Sequence, residues 1–284
     1  MKDAGRWIEE RIAEFLNSSE NRLFDNADEP AWGAALVGYS GGADPIYGKI
    51  KEDIGDFYWT PSEIWGKTFP AGKAQPSDLT VISWILPQTP ATKEDNRKEK
   101  YYPSERWARA RNKGEEVHGR LRAYVVNALR AEGIDALAPV DSPIFEQAMS
   151  QRYEYASTWS ERHAAYVAGL GAFGLSGGLI TRVGKAMICG SVIASIQIPP
   201  SPRPYDDHHA YCLFFTKGTC GKCVDRCPAG SVSREGRNKA KCCDYERSKT
   251  ADYVRSRLGV GTHGACGLCQ TGVPCESGIP LKTD

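Results

Sequence analysis

The chain has 284 residues, 41% of them hydrophobic and 25% charged, with a formal net charge of +1. That length allows one large domain or two modest ones with a real core, and the near-zero charge gives no global pull toward nucleic acid or membrane. No apolar run approaches the ~20 residues that span a bilayer, and residues 1–16 lack the apolar core of a secretory signal, so the sequence reads as a soluble cytoplasmic protein with no membrane partner.

In chain order, Ile8, Ile12 and Phe15/Leu16 recur at helical spacing, which predicts an opening helix over 5–16. "AALVGY" (34–39) reads as a short buried strand running into the loop "SGGADP". Residues 45–78 alternate aromatics with Gly and Pro and are expected to form irregular structure around an aromatic cluster. "LTVISWILP" (79–87) is the clearest strand, closed by Pro87. The polar stretch 90–103 reads as a loop. A long helix follows, capped by Ser104, with Val117, Leu121, Val125 and Leu129 as its apolar stripe and Gly133 just past its end. "IDALAPV" (134–140) predicts a strand and 159–169 a helix; "GLITRVGKAMICGSVIASIQI" predicts two strands across a turn at Gly184.

This order suggests an α/β (α+β) sandwich over residues 1–200 with a small loop-rich module over 201–284. The Pro-rich "IPPSPRPYDDHH" (198–209) looks like the join.

The ten cysteines are confined to one part of the chain. None precedes Cys189, and the other nine lie between Cys212 and Cys275. A secreted disulfide scaffold spreads its cysteines through a short chain, whereas clustered thiols point to metal. The run Cys220-x2-Cys223-x3-Cys227-Pro228 has the spacing by which bacterial ferredoxins send their last cysteine to the other of two clusters. Cys212 stands in for the first cysteine of that run. Crossing the ligands gives two sets: Cys212, Cys220 and Cys223 with Cys275, and Cys266, Cys269 and one of Cys242/Cys243 with Cys227. Two zinc ribbons would also use paired CxxC knuckles, but they do not need the Cys-Pro element. The spacing favours two 4Fe–4S clusters. Cys189, inside an apolar strand, reads as an inert core thiol.

At 160–181 the chain reads "SERHAAYVAGLGAFGLSGGLIT". Here Glu161, Arg162, Ala165, Ala168, Gly169, Leu170, Gly171, Leu179 and Ile180 form a segment that resembles the epoxyqueuosine reductases and the related reductive dehalogenases. The order of cysteine motifs downstream is also similar, and the family's Cys-x-x-Tyr element selects Cys242, with Tyr245, over Cys243. The resemblance spans about 155–280 well and 1–150 loosely. It implies a nitroreductase-like domain that binds cobalamin and a ferredoxin-like module that feeds it electrons. It also implies corrin contacts at Gly169, Gly171, Ser176 and Gly177.

The chain departs from that pattern in three places. The family's catalytic aspartate, six residues before the Glu of the ER pair, is Tyr155 here, which the dehalogenase relatives' tyrosine donor makes a candidate general acid. The family's tRNA-gripping helical repeats have no counterpart after Cys275. The intervals Cys212–Cys220 and Cys269–Cys275 are longer than the family's, and Pro274 precedes Cys275 instead of following it. A small-molecule substrate or a redox partner protein is therefore expected, and tRNA is not.

Other candidates have plainer explanations. Tyr155 sits in an aromatic-rich stretch and also suits a core tyrosine. Asp141 in "PVDSP" is a second catalytic candidate and equally a turn former, and His163 is as well explained as a helix-face residue. Residues 217–284 hold 12 Lys/Arg against 7 Asp/Glu, which reads as compensation for cluster and thiolate charge. The leading expectation is a cobalamin-dependent iron–sulfur reductase. The alternative is an electron-transfer or activating protein that reduces a partner, such as a corrinoid protein, without holding cobalamin.

Overall fold

A central four-stranded sheet organises the molecule, whose computed structural model describes residues 3–280. The terminal residues 1–2 and 281–284, part of the expected domain spans, lie outside these. Helix α1 (Ala4–Leu16) opens the chain, capped by the Asp3 carboxylate, and is followed by the hairpin β1 (Arg22–Phe24) and β2 (Ala27–Pro30). Strand β3 (Leu36–Gly41), helices α2 (Ile46–Ile54) and α3 (Pro61–Thr68), strand β4 (Thr80–Pro87), and helices α4 (Pro90–Lys98) and α5 (Glu105–Ala131) follow. Then come β5 (Ala136–Leu137), the hairpin β6 (Gln147–Ser150) and β7 (Glu154–Ser157), α6 (Glu161–Val167), the pair β8 (Gly171–Phe173) and β9 (Leu179–Thr181), and β10 (Met187–Ala194).

The sheet order is β3-β4-β10-β5, and every neighbouring pair is antiparallel. Strand β4 shows why the sheet is buried on both faces. Its Ile82, Trp84 and Leu86 pack with α1 and the Val117–Leu121–Val125–Leu129 stripe of α5. Val81 faces the opposite way, against Tyr47, Ile64, Trp65 and Trp159 from the α2, α3 and α6 side. Side chains alternate across a strand, so an eight-residue apolar run serves two cores. Replacing Leu121, fully buried in the first core, by Ala would cost about 2–5 kcal/mol.

Several sequence expectations need correction. Residues 45–78 are not irregular: they hold α2 and α3, and α3 starts from a Thr60/Glu63 capping box with Pro61 in its first turn. The expected loop 90–103 contains α4, with Thr89 as cap and Pro90 in the first turn. Proline is favoured at a helix's first position because the N–H it lacks has no partner there anyway. The strand expected over 134–140 shrinks to two residues, and Asp141 ends a short 3₁₀ turn. The strands flanking Gly184 belong to different sheets, joined only by a Thr181–Gly184 bridge.

The cysteine-rich part is built from short pieces. These are α7 (Leu213–Lys217), α8 (Lys222–Asp225), the hairpin β11 (Val232–Ser233) and β12 (Gly236–Arg237), and α9 (Lys239–Tyr245), which continues as helical turns to Leu258. The Pro-rich segment 198–209 is tied down. Ser201 N donates to Tyr39 O at 2.9 Å, Arg203 pairs with Asp44 at 3.0 Å, and the Tyr205 hydroxyl donates to Tyr166 O at 2.7 Å. Helix α4 grips the cysteine-rich part from the other side. Arg97 binds both carboxylate oxygens of Glu276, and Asn96 Nδ2 donates to Thr271 Oγ1 at 3.1 Å. Arg226 returns the contact by donating to the carbonyls of Asn96 and Glu99 at 3.0 and 2.7 Å. Among the described residues, no helix is long and apolar enough to cross a membrane.

Candidate functional site

Four thiols line one small void: Cys212, Cys220, Cys223 and Cys275. Cys212 precedes α7, Cys220 and Cys223 flank the Gly221 start of α8, and Cys275 comes from the loop gripped by α4. Leu175, Ile180 and Val273 form the apolar surround. Burial pushes the Cys223 thiol up to about 11 and also raises Cys275, with the Lys185 charge opposing both.

A second cavity, about 660 Å³, is bordered by Cys227, Cys242, Cys266 and Cys269. Cys227 follows α8, Cys242 lies in α9, and Cys266 and Cys269 flank Gly267. Gly267 has φ +64°, and a Cβ there would lie 1.9 Å from the Trp107 ring, so only glycine lets this turn rest on α5. Burial raises Cys266 to about 12. Burial also opposes ionisation of Cys227, but hydrogen bonds from Ser231 and the N–H groups of Val232, Ser231 and Ala229 outweigh it and hold that thiol below its ordinary value. Cys243 does not border this cavity. Cys189 does, although its thiol is buried against Met187 and pushed up to about 12 by that burial.

Basic side chains surround this second set. Arg237 Nη2 donates to Cys242 Sγ at 2.9 Å, and the buried Arg162 donates to Gly177 O at 2.5 Å. Burial, then Arg162 and Arg237, lower Lys239 to about 8, and its amino group donates to Tyr155 O at 2.8 Å. Such a ring suits an anionic occupant. Among the described residues, no three His, Cys, Asp or Glu side chains converge as they would round a single metal ion. Each thiol set instead borders a void, which is the donor chemistry of a multi-iron cluster.

The cavity's far wall comes from the α/β part. Arg122 holds Asp141 through two bonds of 2.7 and 2.8 Å and lies 3.0 Å from His118 Nδ1, while Trp84 Nε1 donates to His118 Nε2 at 3.2 Å. A Cβ on Gly190 would lie 2.2 Å from that His118 nitrogen, so glycine in β10 makes room for the ring. Burial, against the pull of Glu115, lowers His118 below the ordinary histidine value. Glu161 binds the Ser191 hydroxyl through Oε2, while its Oε1 is buried with no partner among the described residues. Burial pushes this carboxyl up to about 7, against the opposing pull of Ser191 and Arg122.

The sequence-derived candidates are distributed unevenly. The eight cysteines named above come together as two sets of four. Ser176 borders the cavity. Gly177 stands beside it, and its carbonyl is taken by Arg162. Gly169 and Gly171 do not border it: added Cβ atoms would lie 2.3 Å from Pro202 O and 2.4 Å from Ile180 O. Asp141 is held by Arg122, and Tyr155 lies in β7 under the Arg247 guanidinium, 5.2 Å from the ring centre, outside the cavity lining. His163 is packed on Phe173 and Tyr58 and lowered to about 3 by burial, then by Arg162 and Lys239. Sequence reasoning passed over Glu161 as an acid, although it stood inside the quoted motif, and missed Lys185, His118 and Arg122 altogether.

No family model matches the chain. Part of it is 30% identical over 125 residues to an epoxyqueuosine reductase of Bacillus anthracis, and 32% identical over 130 residues to one of Staphylococcus aureus. These alignments cover 42% and 44% of this chain and 30% and 32% of the relatives, so the chain spans under a third of their length. Among solved structures, an epoxyqueuosine reductase with an epoxyqueuosine-modified tRNA-Tyr stem loop aligns at a TM-score of 0.48 and 17% identity, covering 97% of this chain and 67% of that one. A Bacillus subtilis epoxyqueuosine reductase with its catalytic loop swung out of the active site aligns at 0.43 and 16%, covering 98% and 67%.

The expectation that excluded tRNA as a partner is corrected: the relatives this chain resembles in sequence are epoxyqueuosine reductases. The chain's sequence kinship, over fewer than half of its residues, is with the epoxyqueuosine reductases.

Proposed function

We propose that the protein is an iron–sulfur oxidoreductase of the epoxyqueuosine reductase type, with two 4Fe–4S clusters that supply electrons to the cavity between its two parts. Its substrate on this reading is epoxyqueuosine carried on tRNA. The observation that carries the proposal is the pair of four-thiol sets. One lines a small, mostly apolar void, and the other borders a cavity whose far wall holds a buried acid.

The donor chemistry fits the clusters. Buried neutral thiols lose their protons when they ligate iron, and Arg237, Arg162 and Lys185 offset the resulting charge. The cavity falls within the ~300–1,000 Å³ of ordinary ligand sites. Ser176, Gly178 and Gln88, whose Oε1 has no partner among the described residues, are the groups that would hold a cobalamin there. When bound, cobalamin would supply a reducible metal centre. Gly169 and Gly171 lie outside this cavity's lining.

Reducing the epoxide to the alkene breaks both C–O bonds, consumes two electrons and two protons, and releases the oxygen as water. Glu161, protonated near neutrality at the cavity wall, holds one proton close to where it is needed. The Arg122–Asp141 pair holds His118, another residue of the same cavity wall. Incubating the reconstituted, reduced protein with epoxyqueuosine-containing tRNA and analysing its nucleosides tests the substrate. Queuosine formation is expected. Unchanged epoxyqueuosine, from protein with both clusters loaded and cobalamin supplied, would sink this assignment and leave electron transfer to a partner as the reading.

A further inference from the structure

Lys185 is 3% exposed and borders both voids. The first void is lined by Cys212, Cys220, Cys223 and Cys275, and the second is bordered by Cys227, Cys242, Cys266 and Cys269. An ammonium has three donors, and Nζ gives one of them to Ser176 Oγ at 2.8 Å. The backbone around it is pinned to the first set. Lys185 N donates to Cys275 O at 2.9 Å, and Ala186 N donates to Glu276 O at 3.3 Å. Gly184 makes this approach possible, since at φ +89° a Cβ would lie 2.0 Å from Glu276 O. The chain thus places one cation between the two sets and keeps water away from it.

We propose that Lys185 sets the reduction potentials of both clusters together, acting as a shared positive charge between them. The inference rests on the two-cluster reading above. Adding an electron makes a cluster more negative, so a fixed cation beside it favours the reduced form. In a buried setting that attraction is far less screened than in water, and charge and hydrogen bonding near the sulfurs are known levers on cluster potential. A cation next to one set alone would shift one potential relative to the other. A shared one raises both, easing their reduction while keeping transfer between them close to level. Lys185 is therefore a positioning residue for electrons and has no need to touch substrate.

The test is a potentiometric titration of the reconstituted full chain, followed by electron paramagnetic resonance, for wild type, Lys185→Met, Lys185→Gln and Lys185→Arg. Both neutral variants should lower both midpoints, each by about a tenfold change in the reduction equilibrium, 59 mV for a one-electron couple. Lys185→Arg, which keeps the charge, should restore both most of the way. Two neutral variants are used so that misfolding of one leaves the other to decide. Unmoved midpoints in a fully iron-loaded neutral variant would overturn the proposal, as would movement of one cluster alone or an equal shift in Lys185→Arg. Failure of the wild type to load two clusters would instead refute the two-cluster reading, so the two failures are distinct.

Discussion

Arg237 donates from Nη2 to the sulfur of Cys242 at 2.9 Å, while the adjacent Cys243 does not border the cavity that Cys242 shares with Cys227, Cys266 and Cys269. A hydrogen bond from a guanidinium stabilises thiolate over thiol. Cys242→Ser should therefore reduce iron to about half of the wild-type content, one cluster of two. Cys243→Ser should leave it unchanged. Iron and sulfide assays on the two variants check this, and the reverse pattern would transfer the ligand role to Cys243.

Gly267→Ala should be more damaging than its size suggests. The added methyl meets the Trp107 ring in a left-handed turn, and strain at such a site costs of order 1–3 kcal/mol before the overlap is relieved. Because Cys266 and Cys269 flank this glycine, the cluster they bind should be lost or become labile. Visible absorption after reconstitution measures this, and a full wild-type spectrum would show that the turn can relax.

The buried carboxyl of Glu161 gives a pH signature. Its folded value is raised to about 7, above an unfolded value near 4.5. The stability tied to its protonation is thus fully present below about 4.5 and is lost as pH rises through about 7, about 3 kcal/mol in all. A protonated-carboxyl infrared band should fade with a midpoint near 7 and be absent from Glu161→Gln. A midpoint near 4.5 would mean that the group is solvated.

Much of this architecture was legible. The 3.6-residue period of 105–131 and the β-rich run 80–87 announced themselves, since their large apolar residues face a core. The groupings Cys212–Cys223 and Cys266–Cys269 follow from spacing, since residues close in sequence are close in space, and the voids they line add Cys275 to the first and Cys227 and Cys242 to the second. Helices α3 and α4 were hidden in stretches rich in Gly, Pro or polar residues, where Pro61 and Pro90 each sit in a capped first turn. The cavity wall was also hidden. His118, Arg122, Glu161 and Lys185 come from separate stretches of chain, and only the fold brings them to one site.

Tyr155 and Glu161 compete as proton donor, and their placement separates them. Glu161 borders the cavity and Tyr155 lies outside its lining. With a substrate in hand, Glu161→Gln should lower turnover by roughly the 10²–10⁴ of a lost general acid, and Tyr155→Phe by less than about tenfold. The opposite ranking would restore Tyr155 to the role that the family resemblance gives it.

Metal and sulfide analysis of protein purified and reconstituted without oxygen bears most directly on the central claim. The account predicts about eight iron and eight acid-labile sulfide per chain, broad visible absorption, and paired paramagnetic signals on reduction. Iron should fall in Cys227→Ser and Cys275→Ser and remain unchanged in Cys189→Ser. Stoichiometric zinc with no visible absorption would contradict it.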